Sequence, residues 1–255
     1  MGWMMPAETA RQERLWMAFP REGYTLGSDG ESAELARRTW SAVAHAAVEF
    51  EPVTMLVDPT AVADARRHLS AEIEVVETPL HEFWMRDTGP TFVFDERGTL
   101  GGVDWIFNGW GAQAWASWEH DSRIAGHVAD AAGAHHLPSS IVNEGGGLHV
   151  DGEGTVLLTE TVQLDPGRNP GATRADIEAE VGPLLGVDTF IWLPRGLTRD
   201  YDEFGTRGHV DIVATFTAPG RVLLHWQEDE SHPDHAVCRE IEQVLLAATD
   251  SAGRS

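Results

Sequence analysis

The 255 residues carry 41 acidic and 18 basic side chains, a formal net charge of −23. That field repels phosphate backbones and anionic lipid, which argues against nucleic-acid and membrane partners, while it would concentrate a small cation. The length suits one large domain burying roughly three-quarters of its unfolded surface, and no linker-like segment divides it.

A single cysteine, Cys238, excludes an intramolecular disulfide framework and fits a reducing compartment. The stretch containing Arg11, Glu13 and Arg14 has no apolar core of signal-peptide length, and no run approaches the roughly 18 apolar residues of a membrane span. A cytoplasmic protein is the expectation.

In chain order, the apolar run 15–19 precedes a predicted helix over 32–50, whose stripe would be Leu35, Trp40, Val43 and Ala47. A buried strand is predicted at 53–57, a helix at 61–69 and a strand at 73–76. From residue 88 a regular unit emerges. Residues 91–94 and 100–107 form a hairpin about the turn 95–98, followed by a helix near 122–132. Residues 149–151 and 155–158 form a second, followed by a helix near 174–185. Residues 210–216 and 222–226 form a third, followed by a helix near 234–248. Hairpin-then-helix units at roughly sixty-residue intervals point to a repeat architecture whose units bury their faces against neighbours.

Polar residues of chemical interest sit at the starts of these units. In an extended segment, alternate side chains share a side, so His209 and Asp211 would face together, as would His149 and Asp151. Gly208 admits a close approach beside His209, whereas the Asp151–Gly154 stretch equally suits an ordinary hairpin turn. Asp87 precedes Thr88-Gly89-Pro90, and Glu144 precedes three glycines. Three carboxylates and one imidazole on separate segments match the needs of a guanidinium, a planar cation best held by carboxylates in its own plane. Asp87 and Asp211 could form that cradle, with Trp84 or Trp110 covering its face. His209 is the candidate proton-transfer group, its protonated form favoured by Glu144 and Asp211. The chemistry such a cradle permits is replacement of one nitrogen by water, helped by a thiolate that splits the substitution into two steps.

These motifs, together with Met5-Pro6-Ala7-Glu8, Trp16 to Pro20, Trp84 to Pro90, Asp104 to Gly111, Arg168-Asn169-Pro170 and Trp192-Leu193-Pro194, closely resemble the agmatine deiminase and bacterial-type peptidyl-arginine deiminase family of the guanidine-modifying superfamily. The resemblance spans essentially the whole chain. It implies an α/β fold, a pentein-type propeller of repeated ββαβ blades, with residues 1–255 as one deiminase domain. It implies hydrolysis of agmatine to N-carbamoylputrescine and ammonia, a step toward putrescine, with no cofactor and no metal. Asp87, Asp211 and Trp84 would bind the substrate, His209 would transfer protons and Glu144 would support it.

The family's nucleophilic cysteine lies in a Gly-Gly-Gly-x-x-His-Cys segment near its C-terminus, which these residues do not contain. A propeller truncated before its last blade is therefore expected, with little activity as a single polypeptide. Cys238 is no substitute, because 237, 241, 244, 245 and 248 have helical apolar spacing and make it a core residue. Residues 9–14 also lack the tryptophan and Pro-His pair usual in the family. The segment 105–118 has no arginine or lysine to receive a free carboxylate, which favours agmatine over free or peptidyl arginine. Alternatives are a non-catalytic guanidine binder, an incomplete chain whose open blade edge pairs with another copy, and a metal-dependent hydrolase using His149, Asp151, His209, Asp211 and Glu144.

Overall fold

Short strands joined by helices sort the chain into four small sheets instead of one. The computed structural model describes residues 2–27 and 30–255. After the brief β1 (Trp3–Met4), the first sheet takes β2 (Leu15–Ala18), crosses through α1 (Glu31–Ala47) to β3 (Val53–Val57), and through α2 (Val62–His68) to β4 (Glu74–Glu77), all parallel. β3 is buried at every residue, as a central parallel strand covered on both faces must be.

One turn of helix, α3 (Met85–Thr88), leads into the hairpin of β5 (Thr91–Asp95) and β6 (Leu100–Ile106). The distorted turn α4 (Gly109–Ala112) and helix α5 (Ile124–Ala131) then return the chain to β7 (His135–Val142), parallel to β6, while β1 closes the other edge against β5. The third sheet repeats this plan. The hairpin of β8 (Leu148–Val150) and β9 (Thr155–Thr159) is followed by α6 (Glu160–Gln163), α7 (Arg174–Leu185) and β10 (Thr189–Leu193), parallel to β9. The hairpin of β11 (Ala214–Ala218) and β12 (Arg221–Leu224) leads into α8 (Pro233–Ala247).

Hairpin, helix and parallel strand is thus the repeating ββαβ unit of a mixed α/β fold, and neighbouring units share cores. Val93, Val103 and Trp105 of the second sheet pack with Leu148, Val156 and Leu158 of the third and Ile177 and Val181 of α7. Leu157, Ile191 and Leu193 on the other face pack with Val210, Phe216 and α8 residues Val237 and Ile241. Stacking face to face in this way brings the starts of successive units together.

Three expectations change. The core-facing stripe of α1 consists of Ala33, Ala36, Ser41 and Ala44, with Trp40 and Ala47 packed beside it, whereas Leu35 and Val43 are 58% and 50% exposed. Small residues let the helix sit close against its sheet, so the bulkier pattern misread the face. The closing strands β7 and β10 lie outside the predicted elements; β7 is polar and carries Pro138, tolerated because β7 is an edge strand. Finally, residues 210–213 form a turn in which the N–H groups of Val213 and Ala214 both donate to the Val210 carbonyl, so the strand begins only at Ala214. His209 and Asp211 are therefore brought together by a turn, not by strand alternation.

Candidate active site

The site forms where α3, the glycine turn after Glu144 and the turn before β11 meet. Asp87 lies on α3, and its Oδ2 accepts from Trp110 Nε1 at 2.8 Å while its Oδ1 accepts from the Gly146 N–H at 3.3 Å. The Gly146 carbonyl in turn accepts from the Asp211 N–H at 3.3 Å, so this one glycine is tied to both carboxylate segments. A methyl group placed on Gly146 would lie 2.4 Å from His209 Nδ1, 2.9 Å from Asp211 Oδ2 and 3.0 Å from Asp87 Oδ1. Three polar groups thus crowd against the bare Gly146 backbone, where no side chain fits without displacing one of them.

Glu144 lies behind this point, wholly buried. Its two oxygens accept from Arg168 Nε at 3.0 Å each, and Oε2 lies 3.2 Å from His209 Nε2. Arg168 continues to Asp165 Oδ2 at 3.0 Å and to the Thr206 carbonyl at 2.7 Å, which ties the loop before His209 to the floor. Asp200 fixes that loop from the other side, its Oδ2 accepting from the N–H of Gly208 at 2.6 Å and of His209 at 3.1 Å. Gly208 has φ 114°, and a side chain there would strike Thr161 Oγ1, so the close approach expected at this position is present.

Electrostatics follow from these contacts. Burial alone would push the His209 pKa down, but Asp87, whose Oδ1 lies 3.7 Å from Nδ1, and the hydrogen-bonded Glu144 raise it to about 9. The ring is an imidazolium at neutral pH. Burial would likewise push Glu144 up, yet the Arg168 guanidinium and His209 hold its carboxyl below the usual range. Asp211 moves the other way. The walls around it desolvate the carboxylate and the like charge of Asp87 adds to this, so its pKa rises even though His209 and Arg86 oppose the shift.

Asp87, Glu144, His209 and Asp211 therefore meet, although they come from separate segments. The Trp84 ring, 38% exposed, lies against Phe83 at 4.7 Å and edge-on to Trp40 at 6.0 Å, and it is Trp110 that hydrogen-bonds Asp87. His149 belongs elsewhere. Its Nδ1 accepts from the Phe216 N–H at 3.3 Å and its Nε2 pairs with the Thr215 hydroxyl at 2.6 Å, while Asp151 caps the hairpin turn at the N–H groups of Glu153 and Thr155. The five side chains of the metal alternative are split in this way, and Glu144 is already neutralised by Arg168. Among the described residues, no three His, Cys, Asp or Glu side chains are grouped to hold a metal ion. Cys238 is buried on α8, the helix that packs against β10. Arg168 and Asp200 are the parts that sequence reasoning assigned no role; Arg168 stands in a motif, but its partner Glu144 is 24 residues away.

Comparison with known proteins fits this geometry. The Porphyromonas-type peptidyl-arginine deiminase family matches residues 4–255, and the chain belongs to that family. A relative from Streptomyces coelicolor is 54% identical over 254 residues, covering 100% of this chain and 75% of its own length. The agmatine deiminase of Ectopseudomonas mendocina is 40% identical over 258 residues, 99% of this chain and 68% of that protein. The solved structure of the Enterococcus faecalis agmatine deiminase superposes with a TM-score of 0.92 at 35% identity, over 99% of this chain and 68% of that one. The fold is thus that of the guanidine-modifying α/β-propellers. Among the described residues no helix is long and apolar enough to cross a membrane.

Proposed function

We propose that residues 1–255 act as one deiminase domain that binds agmatine, in the reaction that converts agmatine and water to N-carbamoylputrescine and ammonia. The observation that carries this reading is the point above Gly146 on which Asp87, Asp211 and His209 converge. Two carboxylates suit the donor edges of a guanidinium, and charge-assisted hydrogen bonds of this kind are about twice as strong as neutral ones. Trp84 and Trp110 border the segments that carry them. Relatives named as agmatine deiminases support the choice of substrate, as does the absence of arginine and lysine from residues 105–118. We place the protein in the cytoplasm, with a small cation as its partner and neither nucleic acid nor membrane.

Chemically, water replaces one nitrogen on the guanidinium carbon. In the two-step route that the family resemblance implies, a thiolate from outside residues 1–255 adds to that carbon, and these residues supply the proton transfers: ammonia departs with a proton from the His209 imidazolium, and the neutral imidazole then takes a proton from the water that displaces sulfur and regenerates the thiolate. Glu144, neutralised by Arg168, keeps Nε2 engaged and holds the imidazolium charge in place. The thiolate is not that of Cys238, whose position on α8 is structural.

Calorimetry with agmatine tests the reading. The chain should bind it, Asp87→Ala should weaken binding by roughly a hundredfold, and His209→Ala should keep it, because His209 serves the proton transfers. Unchanged affinity in Asp87→Ala would remove the cradle from the account.

A further inference from the structure

Beside the cradle, four non-glycine residues hold a left-handed backbone, the only ones among the described residues: Trp110 (φ 57°), Ala112 (φ 54°), Phe204 (φ 67°) and Arg207 (φ 69°). Bulky side chains rarely adopt that conformation, and it persists where the surroundings impose it, often at ligand sites. All four lie in two loops, and the loops are joined, since Gln113 Nε2 donates to the Gly205 carbonyl at 2.7 Å while Trp115 Nε1 donates to Gln113 Oε1 at 3.1 Å.

The joined loops present aromatic rings around Trp115. Its ring stacks on Trp110 at 5.5 Å and 25°, meets Phe204 edge-on at 5.1 Å, and lies 5.4 Å from Tyr24. Trp110 is the ring whose Nε1 reaches Asp87, so the Trp115 face begins one ring spacing from the carboxylate cradle. Phe204 remains 44% exposed, and the residues before it, Asp202 and Glu203, are exposed carboxylates. The loop's arginine, Arg207, lies 3.9 Å from Asp165. An aromatic surface among acids suits an alkyl chain ending in a cation, because the ring face attracts positive charge.

We propose that Trp115, flanked by Phe204 and Tyr24, forms the subsite for the far ammonium of the substrate, so that these rings select guanidines carrying a terminal amine over those with a neutral or carboxylate tail. This rests on the cradle above Gly146 holding the guanidinium end.

The test is calorimetry on the full 255-residue chain with two probes, agmatine and 1-butylguanidine, which share the guanidinium and the four-carbon chain and differ in the terminal ammonium. The wild type should bind agmatine roughly tenfold more tightly. Trp115→Leu should erase that preference while the butylguanidine affinity stays within about twofold. Phe204→Gly, in which glycine accepts the same φ, should reduce the preference with folding retained by circular dichroism. Equal affinity for both probes in the wild type, or equal weakening of both in the variants, overturns the subsite while leaving the cradle intact. Failure of the wild type to bind either probe overturns the cradle and the subsite with it.

Discussion

At the scale of single residues, the site works by opposed shifts. His209 is held charged by its acidic neighbours and Glu144 is held charged by Arg168, while Asp211 is pushed toward its neutral form by desolvation and by Asp87. In the proposed cradle a guanidinium is held by an ionised Asp211, so binding would expel whatever proton the empty site retains. Because the empty-site pKa is raised, agmatine affinity should fall as pH drops through a range above that of an ordinary aspartate, and it should level off between that range and the His209 pKa of about 9, where loss of the imidazolium charge changes the site again. Affinity measured by calorimetry across pH checks this, and Asp211→Asn should bind weakly at every pH without that dependence. A dependence that persists unchanged in Asp211→Asn would assign the titration to another group.

Much of this site was legible because its residues stand at turn signals, where isolated acids and a histidine have little structural reason to recur. Arg168 and Trp110 were less so. Arg168 matters through a contact with Glu144 across 24 positions, and Trp110 through an indole N–H aimed at Asp87, and neither contact leaves a periodic trace in the sequence.

At the scale of elements, helix and hairpin positions followed from apolar spacing and turn residues, and α7 matches its predicted span over 174–185. What spacing could not settle was which face of α1 meets the sheet. Four small residues, Ala33, Ala36, Ser41 and Ala44, do so. Large side chains there would hold the helix off the sheet, whereas Leu35 stands in solvent. Thermal or urea unfolding should therefore show Ala44→Leu destabilised by about 1–3 kcal/mol through overpacking, and Leu35→Glu changed by no more than about 0.5 kcal/mol. The opposite order would restore the bulkier stripe as the buried one. The parallel strands β7 and β10 were missed for a related reason. β7 is a polar edge strand carrying Pro138, and it pairs with β6 only after α5 has returned the chain, a long-range event that a local window does not register.

At the scale of the whole molecule, the acidic balance and the repeat serve the same end. Stacked ββαβ units share cores through β9 and α7, and that stacking brings Asp87, Gly146 and the His209–Asp211 turn of three successive units together. A net charge of −23 surrounds that site with a field that draws in cations. The turn at Gly146 is the shared floor; its backbone lies outside the left-handed region, so what opposes alanine there is the methyl's contact, 2.4 Å from His209 Nδ1.

The most direct measurement is calorimetric titration of agmatine into the wild-type chain and into Gly146→Ala, with melting curves recorded for both. The account predicts measurable binding to the wild type and none to a variant that still melts cooperatively, because the added methyl occupies the point facing Asp87, Asp211 and His209. Equal binding to the two proteins would contradict it.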